Sequence, residues 1–498
     1  MSQDTAAATP VAGGAADVDP KRWLALVVIA IAQLMVVLDA TIVNIAMPRA
    51  QEALEISDAN RQWIVTAYTL TFGGLLLLGG RIADYVGRKK VFLIGLVGFA
   101  GASALGGIAT NAGTLFAARG LQGAFGALLA PAALSLITVT FTDVKDRAKA
   151  FGVFGAISGV GAAIGLILGG LLTEYTSWRW TLLVNIPIAL IAVALALPIV
   201  RESKAHGNTK YDIPGAVLAT GGLVALVYAF TKAAEDGWSA GITLGFFAVA
   251  AILLVGFVVF EARSSHPLLP LRVVLHRNRG GSFLTSVLLG AGMMGMFLFM
   301  TYYFQGTLQY SPIKSGIAYL PFSFALIITA IVASGLLPKV GPRGMMTVGG
   351  LLATAGMIWL TQLRIDSSYL TLILPALVIM AVGMALVFVP LGNTSLTGVD
   401  EHDAGVASAM VNTTQQVGGS LGVAVLNTVF TTALASYVTD HGPQSAPLGV
   451  VHGYNVAFTV SAVLIAASTL IVFLLVRNTK QDTAAGATEE ARAMVHVG

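Results

Sequence analysis

At 498 residues, with 56% hydrophobic and only 10% charged residues, the chain departs from the composition of a soluble protein, for which about 25% charged residues is usual. It contains no cysteine, which excludes disulfides, thiolate metal sites and cysteine nucleophiles. The net charge of +4 comes without a basic, aromatic-interleaved soluble segment, so no nucleic-acid partner is expected.

Residues 1–22 are rich in Ala, Gly, Thr and Asp, offer nothing to bury, and are expected to form a disordered cytoplasmic tail. The first apolar run, 23–48, is too long for a signal-peptide core and is predicted to stay as the first span. Apolar runs of roughly 20 residues, the length that crosses a bilayer, then recur at 62–82, 90–109, 113–138, 149–173 and 179–199. Two more lie at 213–233 and 241–261, and six at 281–304, 315–337, 345–363, 370–394, 404–434 and 456–476. The expected domains are an N-terminal six-helix bundle (23–200), a two-helix insertion (201–262), a C-terminal six-helix bundle with its preceding cytoplasmic linker (263–476) and a cytoplasmic tail (477–498). The segment 436–452 has room for a short hairpin or a lid.

Basic residues are held back in the cytoplasm. With both termini inside, only Arg49, Arg61, Arg179, Lys232, Lys314 and Arg364 fall in outer connections, and Arg119 alone lies within a span. The bias favours an even number of spans. An internal repeat supports two related halves: Asp146, Gly161 and Gly165 recur as Asp403, Gly418 and Gly422, 257 residues later. A looser echo links Gly80, Gly87 and Arg88 with Gly335, Gly341 and Arg343. Such halves around a central path suit a rocking transporter.

Asp39 lies ~25 Å along the first span at 1.5 Å per residue, and no other acid sits as deep in an apolar run. A carboxylate there costs about 3 kcal/mol on insertion scales. Two readings follow, a proton carrier or a hydrogen-bonded structural Asp. Arg119 shares a helical face with Gln122, Gly123 and Gly126. It needs acceptors, and Asp39 or backbone carbonyls are the natural partners. An approach to Asp39 in one conformation only would favour the carboxylate there and release its proton; a permanent clamp is the alternative.

The fifth span presents Gly152, Gly161, Gly165, Gly169 and Gly170, first of all a surface for close helix packing. Between the second and third spans, Gly80, Asp84, Gly87, Arg88 and Lys89 compress charge into a tight turn, read as a conformational latch rather than only retained basic charge. In the thirteenth span Asn412, Gln415 and Gln416 share a face, and in the ninth a Met- and Tyr-rich wall that includes Tyr303 leads to Gln305. These five, with Tyr68, Gln122 and Asn185, form the candidate substrate pocket; helix packing is the competing fate of such residues.

Taken together, the motifs resemble those of the fourteen-span drug:proton antiporters of the major facilitator superfamily. The loop Gly80, Asp84, Gly87, Arg88, Lys89 is similar to that superfamily's loop signature, and Arg119-Gly120-Leu121-Gln122-Gly123 to its fourth-helix signature, whose Arg is linked to proton coupling. Leu38-Asp39-Ala40-Thr41 through Asn44 and Pro48 resembles the first-helix signature of the fourteen-span exporters. Trp178-Arg179-Trp180 with Asn185-Ile186-Pro187, and Gln305 with Tyr310-Ser311-Pro312 and Leu320-Pro321, are further marks. Gly152, Gly161, Gly165, Gly169 and Gly170 match the fifth-helix antiporter signature, except that Leu166 stands where the signature has Pro.

The resemblance implies an all-α integral membrane protein with the major facilitator fold, two six-helix bundles plus two central helices, fourteen spans in all. It implies proton-coupled efflux of lipophilic, cationic or neutral drugs from the cell through the inner membrane, with about one proton per cycle through Asp39. No cofactor or metal is expected, because the proton gradient drives transport, and a monomer is expected. A specialist carrier of one metabolite or antibiotic uses the same scaffold equally well. A channel or membrane enzyme is the remote alternative: no phosphate-binding Gly-Lys-Ser/Thr loop and no metal-ligand His spacing is present.

Overall fold

The computed structural model describes residues 20–141, 143–204, 212–264, 267, 269, 271–396, 399 and 404–478. Among them there is no β-strand, as expected where backbone groups in lipid must be satisfied within each segment. The first long helices are α1 (Arg22–Ala53), α2 (Trp63–Val86), α3 (Arg88–Gly107), α4 (Ala112–Thr140) and α5 (Val144–Tyr175). A broken pair, α6 (Trp180–Leu183) and α7 (Asn185–Ile199), completes the first half. The central pair is α8 (Ile213–Asp236) and α9 (Gly241–Arg263), followed by the short α10 (Leu271–Val274).

The second half opens with α11 (Arg277–Tyr302), which runs into a π turn at Tyr303–Thr307. It continues with α12 (Pro312–Ala318), α13 (Leu320–Val340), α14 (Pro342–Leu360), a second π turn (Tyr369–Ile373), α15 (Leu374–Leu396), α16 (Ala404–His441) and α17 (Ala446–Leu475). Successive long helices reverse direction. The connections therefore gather at a near end, where α1 starts and α17 finishes, and at a far end opposite.

Twelve helices among the described residues are long and apolar enough to cross a membrane. Two of the fourteen expected spans are outside that count: α5, whose described apolar stretch is Val160–Tyr175, and the 19-residue α14. The segment 436–452 forms a tight helical hairpin. α16 continues to His441, Gly442 turns the chain at φ 84°, and a single 3₁₀ turn starts α17. With Leu166 in place of Pro, α5 runs without a break.

The repeat read from spacing has a physical counterpart. A Cβ on Gly161 would lie 3.0 Å from Leu34 and 3.2 Å from Val37 of α1, and one on Gly165 would meet Thr41 at 1.9 Å. In the second half, Gly418 and Gly422 hold the same relation to α11, at 2.0 Å from the Val287 carbonyl and 2.2 Å from Ala291. The two loop glycines also match. Gly87, at φ 123°, sits under the Glu202 carboxylate, which accepts from Lys89 N and Lys90 N; Gly341, at φ 79°, sits under Asn478, which accepts from Arg343 N. Each half thus ties its second loop to the segment that follows its last helix.

The halves meet along α2 and α16, and at the far end through α5 with α12 and through α1 with the first π turn. Thr69 and Ser420 share a hydrogen bond, Gln305 donates to the Ile45 carbonyl, and Ile313 N donates to Glu174. One apolar cluster runs across this junction, from Ile42 and Leu166 to Phe299 and Phe430. The central helix α8 touches both halves. Gln62 and Trp63 donate to Thr231, and Thr428 donates to the Phe230 carbonyl.

Glycine substitutions test this packing. Gly418→Ala places a methyl on a backbone carbonyl and is expected to lower stability by about 1–3 kcal/mol, as overpacking does. Gly152→Ala meets nothing within 4 Å and is expected to be neutral or slightly stabilising. Thermal unfolding of the two variants in lipid nanodiscs measures the difference, and equal melting temperatures would contradict the close α16–α11 contact.

Candidate functional site

α1 carries Asp39 into the middle of the first half, fully buried. Two features bring α1 there. The small residues of α5 let the Leu34–Ile42 face approach closely, and α4 supplies two polar side chains one turn apart, Arg119 and Gln122. The approach of α4 to α2 depends on Gly123, whose Cβ would fall 2.1 Å from Thr71 Oγ1 and 2.2 Å from the Tyr68 carbonyl. Thr71 seals that contact by donating to the Gly120 carbonyl at 2.8 Å. The glycines around Arg119 are therefore spacing elements for the charge beside them.

Three donors converge on the carboxylate. Arg119 Nη1 donates to Asp39 Oδ2 at 2.7 Å, while Gln122 Nε2 and Asn185 Nδ2 donate to Oδ1 at 2.9 and 2.8 Å. The break between α6 and α7 places Asn185 at the first position of α7, so that its amide turns into the site. Ser103 Oγ on α3 accepts from both amides, at 2.7 and 3.2 Å. All of these side chains are buried. Short charge-assisted bonds of this kind are the strong ones.

Arg119 has further partners. Its Nε donates to the Ile64 carbonyl at 2.9 Å and its Nη1 to Gln122 Oε1 at 2.8 Å, and its guanidinium lies 4.6 Å from the centre of the Tyr68 ring. One acceptor of the cluster is idle: Asn185 Oδ1 is buried without a hydrogen-bond partner. Toward the far end, Arg119 borders a cavity of about 10 Å³ lined mainly by apolar groups of α1, α2, α4 and α6, with Trp178 beside them. That is room for about one water.

The structure brings Asp39, Arg119, Tyr68, Gln122 and Asn185 together, and adds Ser103 and the Ile64 carbonyl, which the sequence did not single out. Tyr303 and Gln305 lie elsewhere, in the first π turn, where they donate to the Arg364 and Ile45 carbonyls. Asn412 is exposed on α16 and Gln415 and Gln416 are half-buried there, with Gln416 against Gly73 of α2.

At the near end, Arg88 donates twice to Asp84, at 2.9 and 3.1 Å, Lys89 Nζ reaches the Leu197 carbonyl, and Gly80 faces Pro131. Glu202, which caps this loop, carried no signal in the sequence. Asp146 pairs with Arg22 at 3.1 Å; Asp403, its counterpart in the repeat, lies outside the described residues. Along α5, Gly169 faces Ile42 and Gly170 faces Pro312 and Ile313 of α12, whereas Gly152 faces nothing within 4 Å. Arg61, assigned by sequence to an outer connection, is buried and bonded to the second half through Asn427. Among the described residues no three His, Asp or Glu side chains gather closely enough to hold a metal ion.

A sequence model of the Major Facilitator Superfamily matches residues 29–423. The puromycin resistance protein pur8 of Streptomyces alboniger is 49% identical over 463 residues, 92% of each chain. The cephamycin export protein CmcT of Amycolatopsis lactamdurans is 37% identical, covering 91% of this chain and 92% of its own. The multidrug transporter protein MdtP of Bacillus subtilis is 33% identical, covering 84% and 77%. A solved bacterial homologue of the human lysosomal transporter Spinster shares the fold with a TM-score of 0.67 at 16% identity, over 93% of this chain and 98% of that one.

Removing one member of a buried ion pair typically costs 3–5 kcal/mol, because it leaves the other charge uncompensated. Arg119→Ala is accordingly expected to lower stability by about that amount, and adding Asp39→Asn to it to restore a substantial part. A double-mutant cycle in nanodiscs measures the coupling; purely additive losses would contradict a direct pair.

Proposed function

The chain belongs to the Major Facilitator Superfamily, and from that premise we propose that it exports lipophilic cationic or neutral drugs in exchange for protons, by alternating access, with Asp39 as the proton carrier. The observation that carries this reading is a buried carboxylate held by an arginine and two amides where α1, α3, α4 and α7 converge. An ionisable group at this depth in a membrane protein is costly and is characteristically tied to ion movement. The names of the relatives, which speak of puromycin resistance, cephamycin export and multidrug transport, support drug efflux.

The basic residues gathered at the near end favour a cytoplasmic near end, with both termini inside and α5 and α14 crossing the cell membrane as the remaining two of fourteen spans. On this orientation the far-end contacts seal the outside. A drug then loads from the cytoplasmic side as the proton leaves Asp39, and the N–H donors around the carboxylate hold it once the proton has gone. The space beside Arg119 is far below the roughly 300–1,000 Å³ of a ligand site. The drug path is instead assigned to the junction of the halves, on the side of α16 that carries Asn412, Gln415 and Gln416.

α5 links the two events. Its Leu166 and Gly170 lie against Gly316 and Ile313 of α12, and its Gly161, Gly165 and Gly169 lie against the Asp39 segment of α1. As the halves part at the far end, α12 draws on α5 and α5 on α1, loosening Asp39 from Arg119 and admitting a proton. A turn of the Asn185 amide gives the new O–H an acceptor in the idle Oδ1. Arg119 keeps the Ile64 carbonyl, Gln122 and the Tyr68 face. The transporter acts as a monomer, one proton carrier per chain.

The 49% identity to a puromycin resistance protein favours a second reading, export of a single antibiotic. A resistance profile of expressing cells separates the two: protection against unrelated dyes and biocides supports the broad pump, and protection against one compound the specialist.

In proteoliposomes, Asp39→Asn is expected to slow gradient-driven ethidium efflux by about tenfold or more, while exchange of labelled for unlabelled ethidium without a gradient persists. Unchanged gradient-driven efflux would remove Asp39 from the coupling step.

A further inference from the structure

Arg61 belongs to the connection between α1 and α2, yet its side chain is buried in the second half. Its guanidinium carbon lies 4.1 Å from the centre of the Tyr302 ring, 4.7 Å from Phe430 and 6.0 Å from Phe299. Phe430 in turn stacks on Tyr454 at 5.1 Å and on Phe299 at 5.5 Å, so the rings form a packed box. Arg61 Nε donates to Asn427 Oδ1 at 3.1 Å, and Nη1 reaches Asp58 Oδ1 at 3.3 Å. Its Nη2 is buried, and the Tyr302 hydroxyl lies within reach of the guanidinium. This cation pairs with Asp58 and Asn427 and is enclosed by aromatic faces, which attract cations strongly once water is excluded.

We propose that the box of Phe299, Tyr302, Phe430 and Tyr454, with Asn427 at its mouth, is an exit subsite for organic cations bearing N–H donors, guanidines and protonated amines, and that Arg61 is its tethered competitor. The box and Arg61 lie on opposite halves. Parting of the halves at the far end withdraws Arg61 and leaves the rings and Asn427 Oδ1 free for a departing cation. Closure returns Arg61 at high effective concentration and expels that cation outward, so the far end does not reseal around its cargo. The inference rests on the export reading for its direction, and on the box geometry alone for binding.

The experiment titrates ethylguanidinium into the full chain and its Arg61→Ala variant in nanodiscs, followed by calorimetry, with the neutral isostere ethylurea as control. Arg61→Ala is expected to bind ethylguanidinium saturably and at least about tenfold more tightly than the native chain, whose own side chain fills the box. Adding Phe430→Leu should weaken that binding by about tenfold, with melting temperature used to confirm folding. A second ring variant, Tyr302→Leu, repeats the test if Phe430→Leu unfolds. No saturable binding to Arg61→Ala, equal binding of ethylurea, or indifference to loss of a ring would each overturn the proposal. Ethidium efflux by the native chain, measured separately, reports on the export reading, so binding without efflux would overturn that reading and leave the subsite standing.

Discussion

A carboxylate cannot lie deep in a lipid-spanning helix unless something complements its charge, and in this chain that requirement organises the first half. Asp39 is met by Arg119 at 2.7 Å and by two amides. Each partner depends on a local device: glycines that let α4 approach α2, a helix break that turns Asn185 inward, and a small-residue face on α5 that clasps α1. Buried pairs of this kind contribute little net stability. Their retention at such depth fits a group whose charge is meant to change.

The second half repeats the scaffold without repeating the chemistry. α16 packs on α11 through Gly418 and Gly422 as α5 packs on α1 through Gly161 and Gly165, and Gly87 and Gly341 are capped by the segments that close their own halves. Where α1 presents Asp39, the corresponding position of α11 is Leu289, buried in an apolar cluster. The asymmetry suits a machine with one titrating half and one half that responds. α8 bonds to both at the far end.

Much of this was legible in the sequence because lipid imposes severe rules. Long apolar runs marked most of the helices, charge in the wrong solvent marked Asp39 and Arg119, and glycine at fixed spacing marked the close helix contacts. The sequence also points to Gln122 and Asn185, as pocket lining, and the structure adds that both amides donate to the carboxylate. Ser103 was invisible, since a hydroxyl among small residues costs little in a helix and signals nothing. Arg61 lies in the α1–α2 connection where charge counting puts it, but only the tertiary fold reveals the aromatic box that buries its side chain in the other half. Spacing likewise left 436–452 open, where the left-handed Gly442 settles a tight hairpin.

The most direct test of the central claim is to count protons when a lipophilic cation binds. Tetraphenylphosphonium added to purified protein in weakly buffered solution near neutral pH is expected to release about one proton per bound cation, by linkage between the two sites, and Asp39→Asn is expected to bind it and release none. The same proton release from Asp39→Asn as from the native chain would contradict the account.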